Sequence, residues 1–160
     1  MSRSHLTAIK RKKISVPMRW LKERGIFDHQ TKNMDWGCGK GDDADMMGFF
    51  HRYDPHYFPE KPLHGHLFDI ITCIYVLNVI PPGPKRNKII SEMQKYLKKE
   101  GRIYVAVRRD IKKPTFTKRS TEQHPVTLRW PVLVENSDFC IYVITKGRDY
   151  PLKKGELDNG

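Results

Sequence analysis

Gly37, Gly39 and Gly41 stand two residues apart, behind an acid at Asp35 and ahead of acids at Asp42, Asp43 and Asp45. Glycine lets a backbone turn sharply and pass close to a ligand that a Cβ would block. By itself the run Asp35-Trp36-Gly37-Cys38-Gly39-Lys40-Gly41 suits several nucleotides, or a glycine turn that serves only the fold. No Gly-Lys-Thr or Gly-Lys-Ser completes a phosphate-binding P-loop, and the neighbouring carboxylates repel a pyrophosphate. The charge instead favours a cationic ligand without phosphate. Asp54, just beyond the next expected strand, is placed to accept both hydroxyls of a ribose, as the acid of dinucleotide folds does.

These groups need strands and helices to hold them. Ser15 can cap a short helix over Met18 to Arg24, with Pro17 in its first turn and Gly25 just past its end. Thr31 to Met34 predicts a brief strand leading into Asp35, Asp42 to Met47 a stub of helix, and Phe49 to Tyr53 a second strand. Phe68 to Val79 is almost continuously apolar and rich in β-branched residues, the pattern of a strand buried on both faces of a parallel sheet. Pro81-Pro82-Gly83-Pro84 breaks it. The stripe Ile89, Ile90, Met93 and Leu97 then predicts a helix from Lys85 to Lys99, stopped by Gly101, with Arg102 to Val107 as the next buried strand. Thr127 to Val134 and Phe139 to Thr145 read as a hairpin joined through Asn136-Ser137-Asp138. The expectation is an α/β sheet, parallel except for a C-terminal antiparallel hairpin.

A chain of 160 residues and 18.8 kDa has room for one domain. Residues 1–14 read as a basic arm, 15–150 as the domain and 151–160 as a polar tail. With 38% hydrophobic and 30% charged residues and a mean hydropathy of −0.65, the class is globular rather than membrane or disordered. No apolar run approaches the ~18 residues of a membrane span. Met1 to Lys13 lacks the apolar stretch of a signal peptide, so the expected location is the reducing cytoplasm. Cys38, Cys73 and Cys140 are scattered, which argues against a disulfide framework or a zinc ribbon. His56, His64 and His66 lack a paired second set of ligands, so no metal is expected.

S-adenosylmethionine carries a sulfonium, an ammonium and a ribose, and it fits the acidic, phosphate-free description. At these residues the chain resembles class I methyltransferases: Asp35 before the glycine loop, Asp54 after the second strand, and Asp69 opening the strand counted as the fourth in that family. The resemblance implies a minimal Rossmann-like sheet and S-adenosylmethionine as cofactor, with S-adenosylhomocysteine as product. It implies that the Asp35–Gly41 loop, Cys38 included, wraps the methionine portion, that Asp54 beside Pro55 holds the ribose, and that the stretch from Tyr75 to Asn78 closes the pocket below the sulfur. A narrower resemblance covers roughly residues 5 to 110. His5-x-Thr7-Ala8-x-x-Arg11, Ser15-x-Pro17, Gly37-Cys38-Gly39-x-Gly41-Asp42-Asp43, Asp54-Pro55 and Val76-Leu77-Asn78-Val79-Ile80 are similar to the methyltransferases associated with DNA phosphorothioation.

Between Asp54 and Phe68 there is space only for a loop, where a full methyltransferase has a helix and a third strand. The second strand therefore falls at the sheet edge, which invites a homodimer or a covering partner. The usual adenine-contacting acid has no counterpart; Tyr57 or Phe58 stacks on adenine instead, or both merely anchor the loop. Asp54-Pro55-His56-Tyr57 is not the Asp-Pro-Pro-Tyr tetrad of amino-group DNA methyltransferases, since it follows the wrong strand, and no Pro-Cys nucleophile for cytosine C5 is present.

Net charge is +12, and the bases cluster. Lys10, Arg11 and Lys12 lie in the arm, and Arg108, Arg109, Lys112 and Lys113 flank Phe116 after the fifth family strand. Basic residues interleaved with an aromatic suit phosphates plus a stacked base, so DNA or RNA is the expected acceptor, with little sequence specificity from so small a chain. Asn78 is the candidate for holding an acceptor amine or hydroxyl, with a strand cap as the plain alternative. A small-molecule methyltransferase and a non-catalytic, cofactor-binding subunit of a nucleic-acid complex are the rival functions.

Overall fold

The computed structural model describes residues 4–119 and 121–146; the tail at 151–160 lies outside them. The elements in chain order are α1 (Val16–Glu23), β1 (Asn33–Trp36), α2 (Asp42–Met47), β2 (Phe50–Tyr53), β3 (Phe68–Ile74), α3 (Pro84–Gln94), β4 (Leu97–Arg108), β5 (Thr115–Phe116), β6 (Glu122–Gln123), β7 (Val132–Glu135) and β8 (Phe139–Thr145). A 3-10 turn at Ser4–Thr7 opens the arm and another at Leu77–Val79 follows β3.

Six strands form one sheet in the order β2-β1-β3-β4-β8-β7, and β5 with β6 makes a separate two-stranded ribbon. Pairings among β2, β1, β3 and β4 are parallel; β8 and β7 are antiparallel. Side chains on a strand alternate between faces, and here each face meets its own core. Ile71 and Cys73 of β3, Ile103, Val105 and Val107 of β4, and Tyr142 and Ile144 of β8 bury with Ile90 and Met93 of α3. Ile70, Tyr104, Ala106, Phe139 and Ile141 bury on the other face with Leu21 of α1. Strands covered on both sides explain the unbroken apolar runs.

β2 pairs only with β1 and ends the sheet, and the chain from Asp54 to Phe68 crosses back with no strand of the main sheet and no helix. The shortened crossover thus takes the form the spacing predicts. Several boundaries differ. Thr31 belongs to a turn, because the Asp28 side chain accepts hydrogen bonds from the Gln30 and Thr31 amides and holds the chain out of the ladder until Asn33. The helix expected to reach Lys99 ends at Gln94. Leu97 is taken up by pairing with Phe68, whose amide also donates to Tyr96 O at 2.7 Å. Gly101 consequently sits within β4, where a Cβ would stand 2.9 Å from Asp69 O. Ser15 sits at the start of α1 without capping it, since its amide and hydroxyl both bind Asp43. The expected strand from Thr127 shrinks to β7 and starts only after Pro131, which has no amide hydrogen to give.

Candidate active site

Parallel strands bring the carboxyl ends of β1, β2 and β3 to one rim, the side on which open α/β sheets bind ligands. The glycine loop is stitched to that rim. Gly37 N and Cys38 N both donate to Tyr53 O, at 2.7 and 3.0 Å, joining the ends of β1 and β2. Gly37, Gly39 and Gly41 have φ of 73°, 57° and 81°, conformations costly for any residue with a Cβ. Gly37 and Gly39 line a cavity of about 1230 Å³. Gly41 sits behind it at the start of α2, where a Cβ would meet Arg52 and Phe58 at 3.0 Å. Tyr75 also has a left-handed φ, 59°, and lines the cavity with Val76 opposite the loop.

Asp35 is on the cavity wall, 3% exposed, with Oδ1 accepting the Thr72 hydroxyl at 2.9 Å. Burial, reinforced by the nearby Asp43 carboxylate, pushes its pKa up to about 8. A cationic group entering the cavity would favour its ionised form. Cys38 lines the same wall as a neutral thiol, its ionisation suppressed by burial and then by Asp35 and Asp54. Asp54 closes the loop from the β2 side. Its Oδ2 accepts Gly39 N at 3.0 Å, and its Oδ1 accepts the amides of His56 and Tyr57 at 2.9 and 3.0 Å. Three of about four lone-pair sites are used, leaving one for a ligand hydroxyl.

The N-terminal arm lies across the glycine loop. Arg11 N donates to Asp42 Oδ2 at 2.7 Å, Lys10 pairs with Asp42 at 3.1 Å, and Ser15 binds Asp43. Ala8 packs where a Gly39 Cβ would come within 3.1 Å of it. Burial opposes ionisation of Asp42, but the Arg11 amide and the Lys10 ammonium hold its carboxyl below the usual range. Asp42 and Asp43 thus anchor the arm rather than stand free to attract a ligand. Asp45, at the surface, pairs with Arg52 at 2.8 Å.

No family model and no curated protein match the chain. Among solved structures, the PH0226 protein of Pyrococcus horikoshii OT3 aligns over 81% of this chain and 89% of that one, with a TM-score of 0.55 and 12% identity. A TehB-like SAM-dependent methyltransferase of Corynebacterium glutamicum aligns over 84% of this chain and 89% of that one, with a TM-score of 0.50 and 16% identity. A coclaurine N-methyltransferase bound to N-methylheliamine and SAH also aligns, at a TM-score of 0.43 and 9% identity, with this chain covering 39% of its length. The chain has the Rossmann-like fold of a SAM-dependent methyltransferase.

Within this methyltransferase fold, Asp35, Gly37, Cys38, Gly39, Asp54, Pro55 and Tyr75 all face the one cavity, so a cofactor seated there meets them together. The buried acid would answer a cationic ligand, and the left-handed loop lets one approach the backbone closely. Tyr57 is not on the cavity wall; its hydroxyl reaches toward His5 O at 3.5 Å, and Phe58 packs under Arg52 and against Gly41. Among the rings that do face the cavity near Asp54, besides Tyr53, are His56 and His5, stacked with centroids 4.0 Å apart. In the sequence His56 stands in the discounted Asp54-Pro55-His56-Tyr57 tetrad and among histidines without a paired ligand set, and neither pattern singles out its ring for the cavity. Among the described residues no three His, Cys, Asp or Glu side chains gather as a metal site.

Asn78 needs the largest correction. It is fully buried and absent from the cavity wall, with Nδ2 donating to His124 O at 2.9 Å and Oδ1 accepting Arg108 N at 2.8 Å. Neither end of its amide is left for an acceptor. Arg109 is likewise engaged, its three nitrogens donating to Glu135, Val126 O and the Tyr142 hydroxyl. Arg108 lines the cavity while chelating Asp110, and Arg11 lines it from the arm. Lys10, Lys12, Lys112, Lys113 and Phe116 are exposed.

Replacing Asp54 by Ala is expected to weaken S-adenosylmethionine binding by roughly 1.5–3 kcal/mol, the scale of lost charge-assisted hydrogen bonds. Calorimetry checks it. Unchanged affinity would mean that the carboxylate serves only the loop amides.

Proposed function

We propose that this protein transfers a methyl group from S-adenosylmethionine to a nucleic acid, with little sequence preference of its own. The observation that carries the reading is the charge of one shared cavity. Asp35 and Asp54 line it from the ends of β1 and β2, while Lys85 and Lys88 of α3, Arg108 at the end of β4, and Lys118 and Arg119 between β5 and β6 of the ribbon line it elsewhere; its other acids are engaged, Asp42 and Asp43 of α2 with the arm and Glu92 of α3 with Lys61 and Lys95. Such a wall suits a cationic cofactor and a polyanionic acceptor in the same space. Phe116, 76% exposed at the tip of that ribbon and next to Lys112, Lys113 and Lys118, offers a face on which a base can stack.

The cofactor supplies an electrophilic methyl carbon: the acceptor's lone pair bonds to it, the carbon–sulfur pair stays on sulfur, and S-adenosylhomocysteine leaves. The protein's part is to hold and orient. Asp35 takes the cation, Asp54 a ribose hydroxyl, and the arm covers the loop against water. The unpaired edge of β2, where His51 and Arg52 are exposed, is the surface we assign to a second copy or a partner protein.

The test is transfer of labelled methyl to single-stranded DNA, duplex DNA, RNA and small metabolites. Label is expected in a nucleic acid. For about three phosphate contacts on a single strand, binding should fall roughly twentyfold between 50 and 200 mM salt. A small-molecule methyltransferase is the second reading, favoured by the apolar wall of Val79, Ile80, Pro84 and Ile89. Salt-independent label confined to metabolites would establish it. Cofactor binding without transfer to anything would mark an accessory subunit.

A further inference from the structure

Gln123, in β6, is a polar side chain on the cavity wall that lacks a hydrogen-bonding partner for its oxygen. It is 8% exposed, it lines the cavity, and its Oε1 is buried with no donor in reach. With no partner to lose, that oxygen can exchange places with the amide nitrogen by a turn about the last side-chain bond, a soft torsion. A native fold keeps such an unsatisfied group where it has a use, and a ligand that completes it is the simplest use.

The placement of Gln123 is also over-determined. Asn78 O accepts His124 N at 2.7 Å, and Asn78 Nδ2 donates to His124 O at 2.9 Å. Arg86 Nη2 donates to Pro125 O at 3.3 Å, and β6 pairs Gln123 with Thr115 of β5. Asn78 lies in the turn that follows β3, on the ligand-binding rim, and its remaining amide oxygen takes the Arg108 amide at the end of β4. The residue next to Gln123 is therefore stapled to the end of the sheet where methyl transfer would occur. Asn78, unable to touch an acceptor, positions the segment that can.

We propose that Gln123 holds the methyl acceptor, its amide turning so that Oε1, buried in the free protein, accepts a hydrogen bond from an amine or hydroxyl hydrogen of that group. This rests on the methyltransferase reading above. The hydrogen bond leaves the acceptor's lone pair free to form the new bond to carbon as the carbon–sulfur pair passes to sulfur. An amide cannot take the proton, so the acceptor's surplus hydrogen leaves to solvent. The acceptor class follows: an exocyclic base amine or a hydroxyl, and neither a ring carbon nor a ring nitrogen without hydrogen.

The experiment uses the full chain, labelled S-adenosylmethionine, and short single-stranded DNA and RNA oligonucleotides as probes. Gln123→Met keeps the shape and removes the acceptor oxygen; Gln123→Glu keeps an accepting oxygen. Calorimetry measures cofactor affinity, anisotropy measures oligonucleotide affinity, and digestion to nucleosides locates the label. Gln123→Met is expected to slow transfer about thirtyfold with both affinities within twofold of wild type, and Gln123→Glu to recover most of that loss. The Gln123 side-chain amide signal, assigned by its absence in Gln123→Met, is expected to shift when oligonucleotide is added. Undiminished transfer by Gln123→Met overturns the proposal and leaves the nucleic-acid reading standing. So does label on a ring carbon or on a ring nitrogen without hydrogen. If Gln123→Met folds poorly, equal loss in a well-folded Gln123→Glu overturns it too. Wild-type protein that labels no oligonucleotide overturns the nucleic-acid reading, and this proposal with it.

Discussion

Binding of S-adenosylmethionine is expected to release close to one proton at pH 7, and its affinity to rise about tenfold per pH unit up to roughly pH 8 before levelling. The cause is Asp35. Burial, then Asp43, raise its pKa to about 8, so below that pH the cavity presents a neutral acid. A cationic ligand binds the ionised form better, and the proton must leave. The same group sets a sign for stability without cofactor. Between its unfolded value of 3.8 and about 8 the folded chain holds a proton that the unfolded chain has lost, so stability falls as pH rises through that window and is flat above it. Asp35→Asn removes the titration. It is expected to weaken cofactor binding by two orders of magnitude at pH 8, to abolish proton release, and to make the free protein more stable than wild type at pH 9. Calorimetry in two buffers of different ionisation enthalpy, with thermal melts across pH, measures all three. Proton release that survives the substitution would remove Asp35 from the cation site.

Local chemistry explains which parts were legible in the sequence. α2 occupies the span predicted for it because Gly41 and Gly48, both in left-handed turns, bound it. The parallel, doubly covered strands followed from apolar runs too long for one-sided burial, and the edge place of β2 from the short interval between Asp54 and Phe68. What failed depended on partners far away in the chain. Leu97 satisfies a helical stripe as well as a strand, and only its pairing with Phe68 decides. Asn78 looks the same in sequence whether its amide faces a substrate or His124. Gln123 carries no motif at all. The arm meets the site through particular contacts: His5 stacks on His56, Ala8 packs on Gly39, the Arg11 backbone amide binds Asp42, and Ser15 binds Asp43.

The glycine loop yields the prediction with the largest effect on the fold. In Gly37→Ala the new Cβ would stand 2.4 Å from one Val76 methyl carbon and 3.3 Å from the other, at a φ of 73°. A left-handed residue with a Cβ costs roughly 1–2 kcal/mol, and forcing atoms into a filled space another 1–3, so a loss of about 2–5 kcal/mol is expected, with cofactor binding lost alongside. The two contributions can be separated. Gly25 has a similar φ of 67° with nothing within 4 Å of a Cβ, so Gly25→Ala should show the backbone cost alone, about 1–2 kcal/mol. Val76→Ala removes both clashing carbons. The double variant Gly37→Ala/Val76→Ala is therefore expected to be more stable than the sum of its single changes by about 1–3 kcal/mol, a coupling that denaturant melts of the four proteins measure directly. Strict additivity would place the two side chains out of contact. The loop and the turn after β3 would then not meet across the cavity mouth, and the site built on their approach would have to be redrawn.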